Sequence, residues 1–393
     1  MRVLVTSTPT YGHFHPLVPL ARTLAAAGHE VRVACPTVLR GAVEAAGLPF
    51  VAAGSADIPP DLVAELKEAR PVWRLRVRLM VTRVFFGVHA HAMVPDLLDI
   101  MDAWQPDLIL RDAVEYGGYI AAELRGLPHA STGAVWFPPP MMRALFLEGL
   151  TTLRADFNLP PDPDGGSIFR YLVLASFPQC WVAAEEAIPP TAYFLRPEPF
   201  NASGSERLPE RLAALSDARP TIHASLGTVH NDMREIYESI LAGLRDEPVN
   251  LVLTIGREHD PEDFGSQPAN VVIERYIPHS VLLPRCDAML THCGLNSIMA
   301  CLVLGLPMVG VPITADQPHN AQRLADLGVA TVINPDSRTP EAFREATQAI
   351  LSRPSYRQHA QQLCDEIKEM PGNELGVALL ERLSRERAPI IAM

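Results

Sequence analysis

The stretch Thr291-His-Cys-Gly-Leu-Asn-Ser297 decides the interpretation of the fold. The short apolar run 288–290 precedes it, and an apolar segment typical of a helix follows it. A strand, a tight turn with a glycine and a helix start together expose backbone N–H groups and the positive end of a helix dipole. His292 and Ser297 add side-chain donors. The stretch therefore predicts a phosphate-bearing ligand, and Asp316-Gln317 predicts a hydroxyl-rich group beside it.

Short apolar runs alternate with helix-like segments along the whole chain. The runs typical of buried strands lie at 2–7, 31–34, 50–52, 107–110 and 129–131, and then at 221–225, 251–255, 271–274, 288–290, 308–311 and 330–333. Such alternation is typical of parallel sheets covered by helices on both faces. We therefore expect an α/β fold of two doubly wound, Rossmann-like domains that face each other across a cleft, with ligands at the carboxyl ends of the strands.

The expected domain limits follow from length and composition. At 393 residues the chain is long enough for two domains. A region rich in Pro, Glu, Ser and Gly follows Leu195 and is typical of a linker. We expect a first domain at 1–200, a linker at 201–215 and a second domain at 216–393. The last helices, at about 355–385, could pack on either domain.

Charge and cysteine content limit the partners and the compartment. A net charge of −12 argues against nucleic acid or an anionic membrane as a partner. The six cysteines form no C-x-x-C pair, which is typical of reduced thiols. The N-terminus has no signal-peptide pattern, and four arginines interrupt the apolar segment at 72–94. We expect a cytoplasmic protein without stable membrane insertion, and homodimerisation stays open.

Gly12-His-Phe-His-Pro16 lies between the first strand and the first helix. His13 there could accept a proton at neutral pH. Asp112 closes another predicted strand and could accept a hydrogen bond from His13 Nδ1, which would fix the tautomer. His15 is the weaker candidate. Plainer interpretations stay open, with His13 as an ordinary loop residue and Asp112 as a turn cap or a partner of Arg111.

Ser225-Leu-Gly-Thr228 forms the corresponding first turn of the second half. Its glycine permits close backbone approach, and Thr228 can donate to a phosphate oxygen. The chain contains neither G-x-G-x-x-G nor G-x-x-x-x-G-K-[ST], which argues against a dehydrogenase and a P-loop NTPase. Asp316 also has a plainer interpretation, as a helix N-cap ahead of Pro318.

Two insertions interrupt the alternation, at 57–95 and 136–175. Both are rich in apolar and aromatic residues and follow predicted strand ends. We expect them to form an apolar wall for a hydrophobic partner molecule. The wall residues are Phe85, Phe86, Trp136, Phe137 and Met141. Ordinary core and loop packing is the alternative for each of them.

The region from about 276 to 321 carries a resemblance to a known family. After the quoted stretch come Leu306-Pro307, Pro312, Asp316-Gln317 and Asn320-Ala321. This spaced block resembles the signature of family 1 nucleotide-sugar-dependent glycosyltransferases. The start Gly12-His13-x-x-Pro16 is similar to theirs as well. The first half of the chain looks most like the actinomycete natural-product glycosyltransferases of that family.

The resemblance implies a GT-B fold and an inverting sugar transfer from a nucleoside diphosphate to an apolar natural product. Neither a metal nor a cofactor is implied, because the nucleotide sugar is a co-substrate. His13 would be the general base and Asp112 its partner, and the apolar wall would bind the acceptor. The donor-binding residues implied are Thr228, Tyr276, Ile277, His292, Gly294, Asn296, Ser297, Asp316 and Gln317. In this set Tyr276 would stack on the nucleobase.

One departure from the family bears on the choice of donor. Ala300 stands where many enzymes that use UDP-sugars carry a glutamate for the ribose hydroxyls. The missing acceptor group favours a dTDP-sugar, with a UDP-sugar as the close alternative. Two other functions stay open, a GT-B sugar epimerase and a non-catalytic helper protein of the same fold. No residue decides which natural product accepts the sugar.

Overall fold

The chain forms two compact units. A computed structural model describes residues 1–69, 72–133, 140–200, 208–227, 233–256 and 259–392, without the side chains of 73, 140 and 141. Unit 1 comprises Met1–Glu198 and Met370–Met393, and unit 2 comprises Pro199–Glu369. The C-terminal helix therefore belongs to unit 1, a choice that the sequence pattern leaves open.

Unit 1 contains a sheet of seven parallel strands. These are β1 (Arg2–Thr6), β2 (Glu30–Cys35), β3 (Phe50–Ala52), β4 (Leu108–Asp112), β5 (His129–Gly133), β6 (Leu172–Ala175) and β7 (Ala192–Phe194). Their order is β3-β2-β1-β4-β5-β6-β7, so the direction of strand addition reverses between β1 and β4. The sequence analysis did not predict β6 and β7, because apolar runs of three or four residues have no period that separates strand from helix.

Unit 2 contains a second parallel sheet, of six strands. These are β8 (Thr221–Ser225), β9 (Asn250–Thr254), β10 (Val271–Glu274), β11 (Ala288–Thr291), β12 (Met308–Gly310) and β13 (Ala330–Val332). Their order is β10-β9-β8-β11-β12-β13, which reverses between β8 and β11. All six strands lie where the apolar runs predicted them. Ligands of doubly wound sheets bind where the order reverses, so each unit has one preferred edge position for a site.

Helices connect the strands in both units. They are α1 (Tyr11–Phe14), α2 (Val18–Ala26), α3 (Arg40–Ala45), α4 (Pro60–Glu68), α5 (Trp73–Leu79), α6 (Ala90–Trp104), α7 (Tyr116–Arg125), α8 (Pro140–Asp156), α9 (Arg234–Leu244), α10 (His279–Leu282), α11 (Leu295–Leu302), α12 (Gln317–Asp326), α13 (Pro340–Ser352), α14 (Pro354–Glu369) and α15 (Asn373–Glu386). Short 3-10 helices occur between these elements, including one at Gly166–Phe169 between α8 and β6.

The first insertion folds into one long helical rod. A π-helical segment, Met80–His89, joins α5 to α6, and we call it the π segment. The rod from Arg74 to Trp104 is the one described helix long and apolar enough, by length and composition alone, to cross a membrane. Its apolar side packs within unit 1, where Val94 and Phe86 belong to one core cluster. The rod thus contributes a buried apolar face to the core of unit 1.

The C-terminal helix α15 packs on α2 of unit 1. Gly376 permits the approach, since a Cβ there would lie 3.0 Å from Leu20 and Leu195 side chains. Leu380 and Leu383 are fully buried on the same helix. An ion pair between His29 Nε2 and Glu381, 3.1 Å long, lies beside this contact. The end of the chain thus closes the core of the unit that contains its beginning.

Candidate active site

His13 and Asp112 meet where the strand order of unit 1 reverses. α1 follows β1 and carries His13, and the neighbouring strand β4 ends with Asp112. His13 Nδ1 lies 3.2 Å from Asp112 Oδ1. The Asp112 side chain is 1% exposed, and that of His13 is 26% exposed. The pair therefore consists of a buried carboxylate that orients an accessible imidazole, and Nε2 is the basic nitrogen when Nδ1 donates.

Thr8 is a second partner of Asp112, which the sequence analysis missed. Its Oγ1 donates to Asp112 Oδ2 over 3.3 Å, so both carboxylate oxygens accept a hydrogen bond. Thr8 is 2% exposed. The signal available in the sequence was a hydroxyl residue just beyond β1, at the edge where a doubly wound sheet places its site. Two fixed oxygens leave the carboxylate little freedom to rotate.

Arg111 holds the backbone on either side of this carboxylate. Its buried guanidinium donates to the carbonyls of Asp112 at 3.3 Å, Ala113 at 2.9 Å and Ile168 at 2.9 Å. Burial lowers the pKa of Arg111, and nearby acidic groups such as Tyr116 and Glu115 oppose that shift. The guanidinium thus ties the loop after β4 to the 3-10 helix that contains Ile168. One plainer interpretation of Asp112 was a pairing with Arg111. The two residues do interact, through the bond from the Arg111 guanidinium to the backbone carbonyl of Asp112.

The predicted apolar wall is only partly described. Phe85 on the π segment is half-buried, and its ring lies edge-on to His13 with centroids 6.1 Å apart. Phe86 is 1% exposed and stacks on Tyr116 at 3.7 Å. Its ring belongs to the hydrophobic core and not to a wall that a ligand could touch, which corrects the prediction. Trp136, Phe137 and the side chain of Met141 lie outside the described part of the chain, so their roles stay predictions.

His292 lies where the strand order of unit 2 reverses. It follows β11, and its ring is enclosed by the two glycines of the predicted phosphate loops. A Cβ on Gly227 would lie 2.6 Å from His292 Nε2, and a Cβ on Gly294 would also meet that ring. Gly227 has a φ of 84°, which favours glycine for a second reason. Thr228, the predicted further donor, lies outside the described residues.

The turn at His292 leads directly into α11. Gly294 is the N-cap, with extended φ and ψ of −70° and 134°. The N–H groups of the first turn of a helix have no intrahelical acceptor, and they suit an oxyanion. Asn296 is half-buried and Ser297 is 9% exposed in this turn. The structure therefore brings together four of the predicted donor residues, His292, Gly294, Asn296 and Ser297.

Asn320 connects this turn to Asp316. Its Nδ2 donates to the carbonyl of Cys293 over 3.0 Å and to Asp316 Oδ2 over 2.7 Å. Cys293 has a φ of 66°, an unusual value for a residue with a side chain, and the bond from Asn320 helps to hold it. Asp316 is exposed and occupies the N-cap position of α12 ahead of Pro318, as the plainer interpretation expects, but its side chain makes no cap hydrogen bond to the helix. Sequence reasoning quoted Asn320 but gave it no role.

Gln317 differs from its predicted role. Its Oε1 accepts from the backbone amides of Ile313 and Thr314, over 2.8 and 2.9 Å. The residue is 5% exposed. The side-chain carbonyl therefore shapes the loop after β12, in which Ala315 has a φ of 58°. Because Oε1 is engaged, only the amide nitrogen of Gln317 would be left to contact sugar hydroxyls. Asp316, the neighbouring residue, is exposed.

The residues predicted to contact the nucleobase follow β10. Tyr276 is half-buried and Ile277 is 2% exposed. Because all strands of this sheet are parallel, β10 ends at the same edge as β11, where His292 lies. Ala300 is 5% exposed on α11. The described members of the predicted donor set thus share one edge of the sheet.

Comparison with known proteins decides the family. The N-terminal domain model of the erythromycin biosynthesis protein CIII-like family matches residues 22–136, and the C-terminal domain model matches 238–381. Together these matches cover more than half of the chain. The chain belongs to this family of glycosyltransferases. The N-terminal match includes Asp112, and the C-terminal match includes the turn at His292.

Curated relatives agree with this assignment. The glycosyltransferase is 30% identical to the L-demethylnoviosyl transferase of Streptomyces niveus, over 94% of this chain and 95% of that protein. It is 29% identical to the 10-deoxymethynolide desosaminyltransferase of Streptomyces venezuelae, over 98% of each. The solved structure of the glycosyltransferase VinC in complex with DTDP is 26% identical, with a TM-score of 0.79 over 98% of this chain and 100% of that one. The predicted enzyme class and two-domain Rossmann-like fold are confirmed.

Proposed function

We propose that this glycosyltransferase moves a sugar, with inversion at C1, from dTDP to a hydroxyl group of an apolar natural product. The observation that carries the proposal is the contact of 3.2 Å between His13 Nδ1 and the buried Asp112. A buried carboxylate keeps the proton on Nδ1 and stabilises the imidazolium that forms. His13 Nε2 is then the base that receives the proton of the acceptor hydroxyl.

The chemical step exchanges one C–O bond for another. The acceptor oxygen loses its proton to Nε2 and forms a bond to C1 of the sugar. The bond from C1 to the diphosphate oxygen breaks, and dTDP leaves with the electron pair. The imidazolium later returns its proton to solvent. Attack from the side opposite the leaving group converts an α-linked donor into a β-linked product.

The turn at His292 is suited to the charge that develops on the leaving diphosphate. Gly294 lets the backbone approach closely, and the first turn of α11 supplies N–H groups and the positive end of a helix dipole. Donors aimed at a developing charge lower the barrier more than donors that bind the ground state equally well. We assign Tyr276 to the nucleobase and Asp316 to the sugar hydroxyls. These donors are peptide and side-chain groups, so the proposed mechanism requires no metal.

The choice of dTDP rests on Ala300 and on a relative. Ala300 has no group to accept hydrogen bonds from ribose hydroxyls. VinC, which is similar over nearly the whole chain, has been solved with DTDP. Several relatives bear names of antibiotic-pathway transferases, which supports a role in secondary metabolism and an apolar acceptor. A UDP-sugar is the competing donor.

The proposal is tested by the stereochemistry and donor preference of the purified enzyme. dTDP-α-D-glucose and UDP-α-D-glucose are supplied with two hydroxyl-bearing probes, 4-methylumbelliferone and 10-deoxymethynolide. We expect a β-glucoside by the anomeric proton coupling in NMR, and a higher initial rate with the dTDP donor. An α-glucoside would refute inversion, and a tenfold preference for the UDP donor would refute the assignment to Ala300.

The same assay separates the alternatives. Each donor is also incubated with the enzyme alone, and the sugar is analysed for a change of configuration. An epimerised donor without acceptor would favour the sugar epimerase. No transfer and no epimerisation would favour a helper protein. Addition of EDTA is expected to leave the transfer rate unchanged, and a loss that Mg²⁺ restores would contradict a metal-free mechanism.

A further inference from the structure

A cavity lies in unit 1 beside the His13–Asp112 pair. Its volume is about 10 Å³, room for about one water-sized group, and it is lined at the carboxyl ends of four strands by residues such as Thr8, Pro36, Ser55 and Glu115. Ser7 and Thr8 follow β1, Pro36 follows β2, Ser55 follows β3, and Glu115 follows β4. The cavity therefore occupies the position where the strand order reverses, which is the preferred ligand position of a doubly wound sheet. Thr8 joins it to the pair, because Thr8 also donates to Asp112.

His89, at the end of the π segment, also lines this cavity. His89 is 8% exposed, and neither Nδ1 nor Nε2 has a hydrogen-bond partner among the described residues. Burial, and to a lesser extent the nearby His13, lowers the pKa of His89 to about 4. The ring is therefore neutral at pH 7, with one N–H donor and one acceptor nitrogen. Buried polar groups are normally paired, so an unpaired imidazole in a cavity indicates a partner from outside the protein chain, either a water or a ligand oxygen.

Phe85 fixes the position of His89 relative to the base. Its ring lies edge-on to His89 and to His13, with centroids 6.1 Å apart in both cases. Phe85 and His89 are four residues apart, so they lie on the same face of the helical rod. A molecule whose hydroxyl reaches His13 could thus cover Phe85 with apolar surface and extend a polar atom towards His89. Glu115, another polar group of the cavity, is already engaged, since it accepts from Thr6 Oγ1 and from the amide of Gly118.

We propose that His89 is a specificity-determining residue that hydrogen-bonds a second oxygen, hydroxyl or carbonyl, of the sugar acceptor. The cavity holds about one water-sized group, so it takes a single oxygen of the acceptor and not the whole acceptor. The inference rests on the proposed transferase function and adds a polar anchor to it. Apolar contact is non-directional, so neither Phe85 nor the predicted aromatic wall could select one orientation of a largely apolar acceptor. A hydrogen bond to His89 could do so.

If His89 binds the acceptor, its replacement should weaken acceptor binding without lowering stability. His89→Phe keeps an aromatic ring beside Phe85 but removes two unpaired polar atoms from a buried position. The ligand-free enzyme should therefore be as stable as the wild type, or melt at a higher temperature. Acceptor binding should weaken about tenfold, because one hydrogen bond is lost. His89→Gln, which keeps a donor and an acceptor, should retain most of the binding.

The experiment measures acceptor KM, donor KM and thermal stability for wild type, His89→Phe and His89→Gln, with both probes used above. Equilibrium binding of each probe is also measured. His91→Phe is the matched control, since His91 lies on the same rod but bonds to Gly87 and Asp156 on the exposed side. We expect the acceptor KM alone to rise in His89→Phe, to recover in His89→Gln and not to change in His91→Phe.

The possible failures are distinguishable. A wild-type enzyme that transfers no sugar from either donor refutes the proposed function. An active wild type with unchanged probe binding in His89→Phe refutes the role of His89 and leaves the proposed function intact. A lower melting temperature in His89→Phe with unchanged acceptor KM shows a structural role, in which a bound water pairs the ring. Wild-type enzyme that binds neither probe contradicts both statements.

Discussion

At the scale of single residues, the carboxylate of Asp112 is held by two side chains and a fixed loop. His13 binds one oxygen and Thr8 the other, and Arg111 holds the adjoining carbonyl. A carboxylate that is buried and doubly bonded can orient an imidazole and stabilise its charged form without moving. The proposed base thus depends on residues that never touch the substrate.

Asp112→Asn should lower kcat by about 10²-fold or more, because a neutral amide stabilises the imidazolium poorly and does not fix the tautomer. Thr8→Val should have a smaller effect, about five- to tenfold, since one neutral hydrogen bond is lost. Both are measured as kcat and kcat/KM across pH, together with dTDP affinity. Weaker dTDP binding in either variant, at unchanged kcat, would contradict a role confined to the base.

The two glycines around His292 permit a second test. Gly227→Ala and Gly294→Ala should weaken dTDP binding, because each methyl group would displace the His292 ring. Gly265→Ala is the control. Gly265 also has a positive φ, 67°, but a Cβ there would meet nothing within 4 Å. Calorimetry with dTDP should show a loss of affinity in the first two variants only, and an equal loss in all three would point to general strain.

At the scale of elements, the long rod and α8 form the core under the cavity. Gly149 of α8 lies against the Phe86 ring, which stacks on Tyr116. Gly149→Ala should therefore destabilise the fold by about 1–3 kcal/mol through overpacking, although alanine is the better helix former. Gly41→Ala in α3, where a Cβ would meet nothing within 4 Å, should instead stabilise it by about 0.5–1 kcal/mol. Urea unfolding measures both changes, and a stabilised Gly149→Ala would contradict the packing.

The limits of sequence reasoning are clearest at this scale. Strands at 271–274 and 288–290 could be predicted from buried apolar runs, and the turn at His292 from its glycine and helix start. Phe86 could not be placed, because a core phenylalanine and a ligand-facing one have the same chemistry and differ only in tertiary packing. Gln317 could not be placed either, since its partners are backbone amides. Thr8 contacts a residue far along the chain, and its position just beyond β1 is the one sequence signal for it. Arg111 acts through backbone carbonyls, and such contacts leave no sequence pattern.

At the scale of the whole molecule, buried histidines should make stability depend on pH. His129 and His223 are at most 1% exposed, and burial lowers the pKa of each well below 6.5. The unfolded chain binds protons at these sites below pH 6.5 and the folded chain does not, so stability is lost as pH falls below 6.5. Each such group contributes up to about 1.4 kcal/mol per pH unit there.

His129→Phe tests this linkage. Its ring lies between Tyr119 and Tyr171, with centroids 5.4 Å from each, and phenylalanine can occupy the same place. The free energy of unfolding is measured in urea at pH 7 and pH 5. The wild type should lose more stability between these values than the variant, by up to about 2 kcal/mol. An equal loss in both proteins would mean that His129 is protonated in the folded state.

The most direct test of the central claim, that His13 is the base of a dTDP-sugar transfer, compares His13→Ala with His15→Ala. Both histidines lie in the segment after β1. His15 contacts Tyr11 edge-on at 5.5 Å, whereas His13 Nδ1 is hydrogen-bonded to Asp112. Transfer to 4-methylumbelliferone or 10-deoxymethynolide and dTDP affinity are measured for both. We predict that His13→Ala lowers kcat by about 10²- to 10⁴-fold with unchanged dTDP affinity, and that His15→Ala retains most activity. Wild-type turnover in His13→Ala would contradict the account.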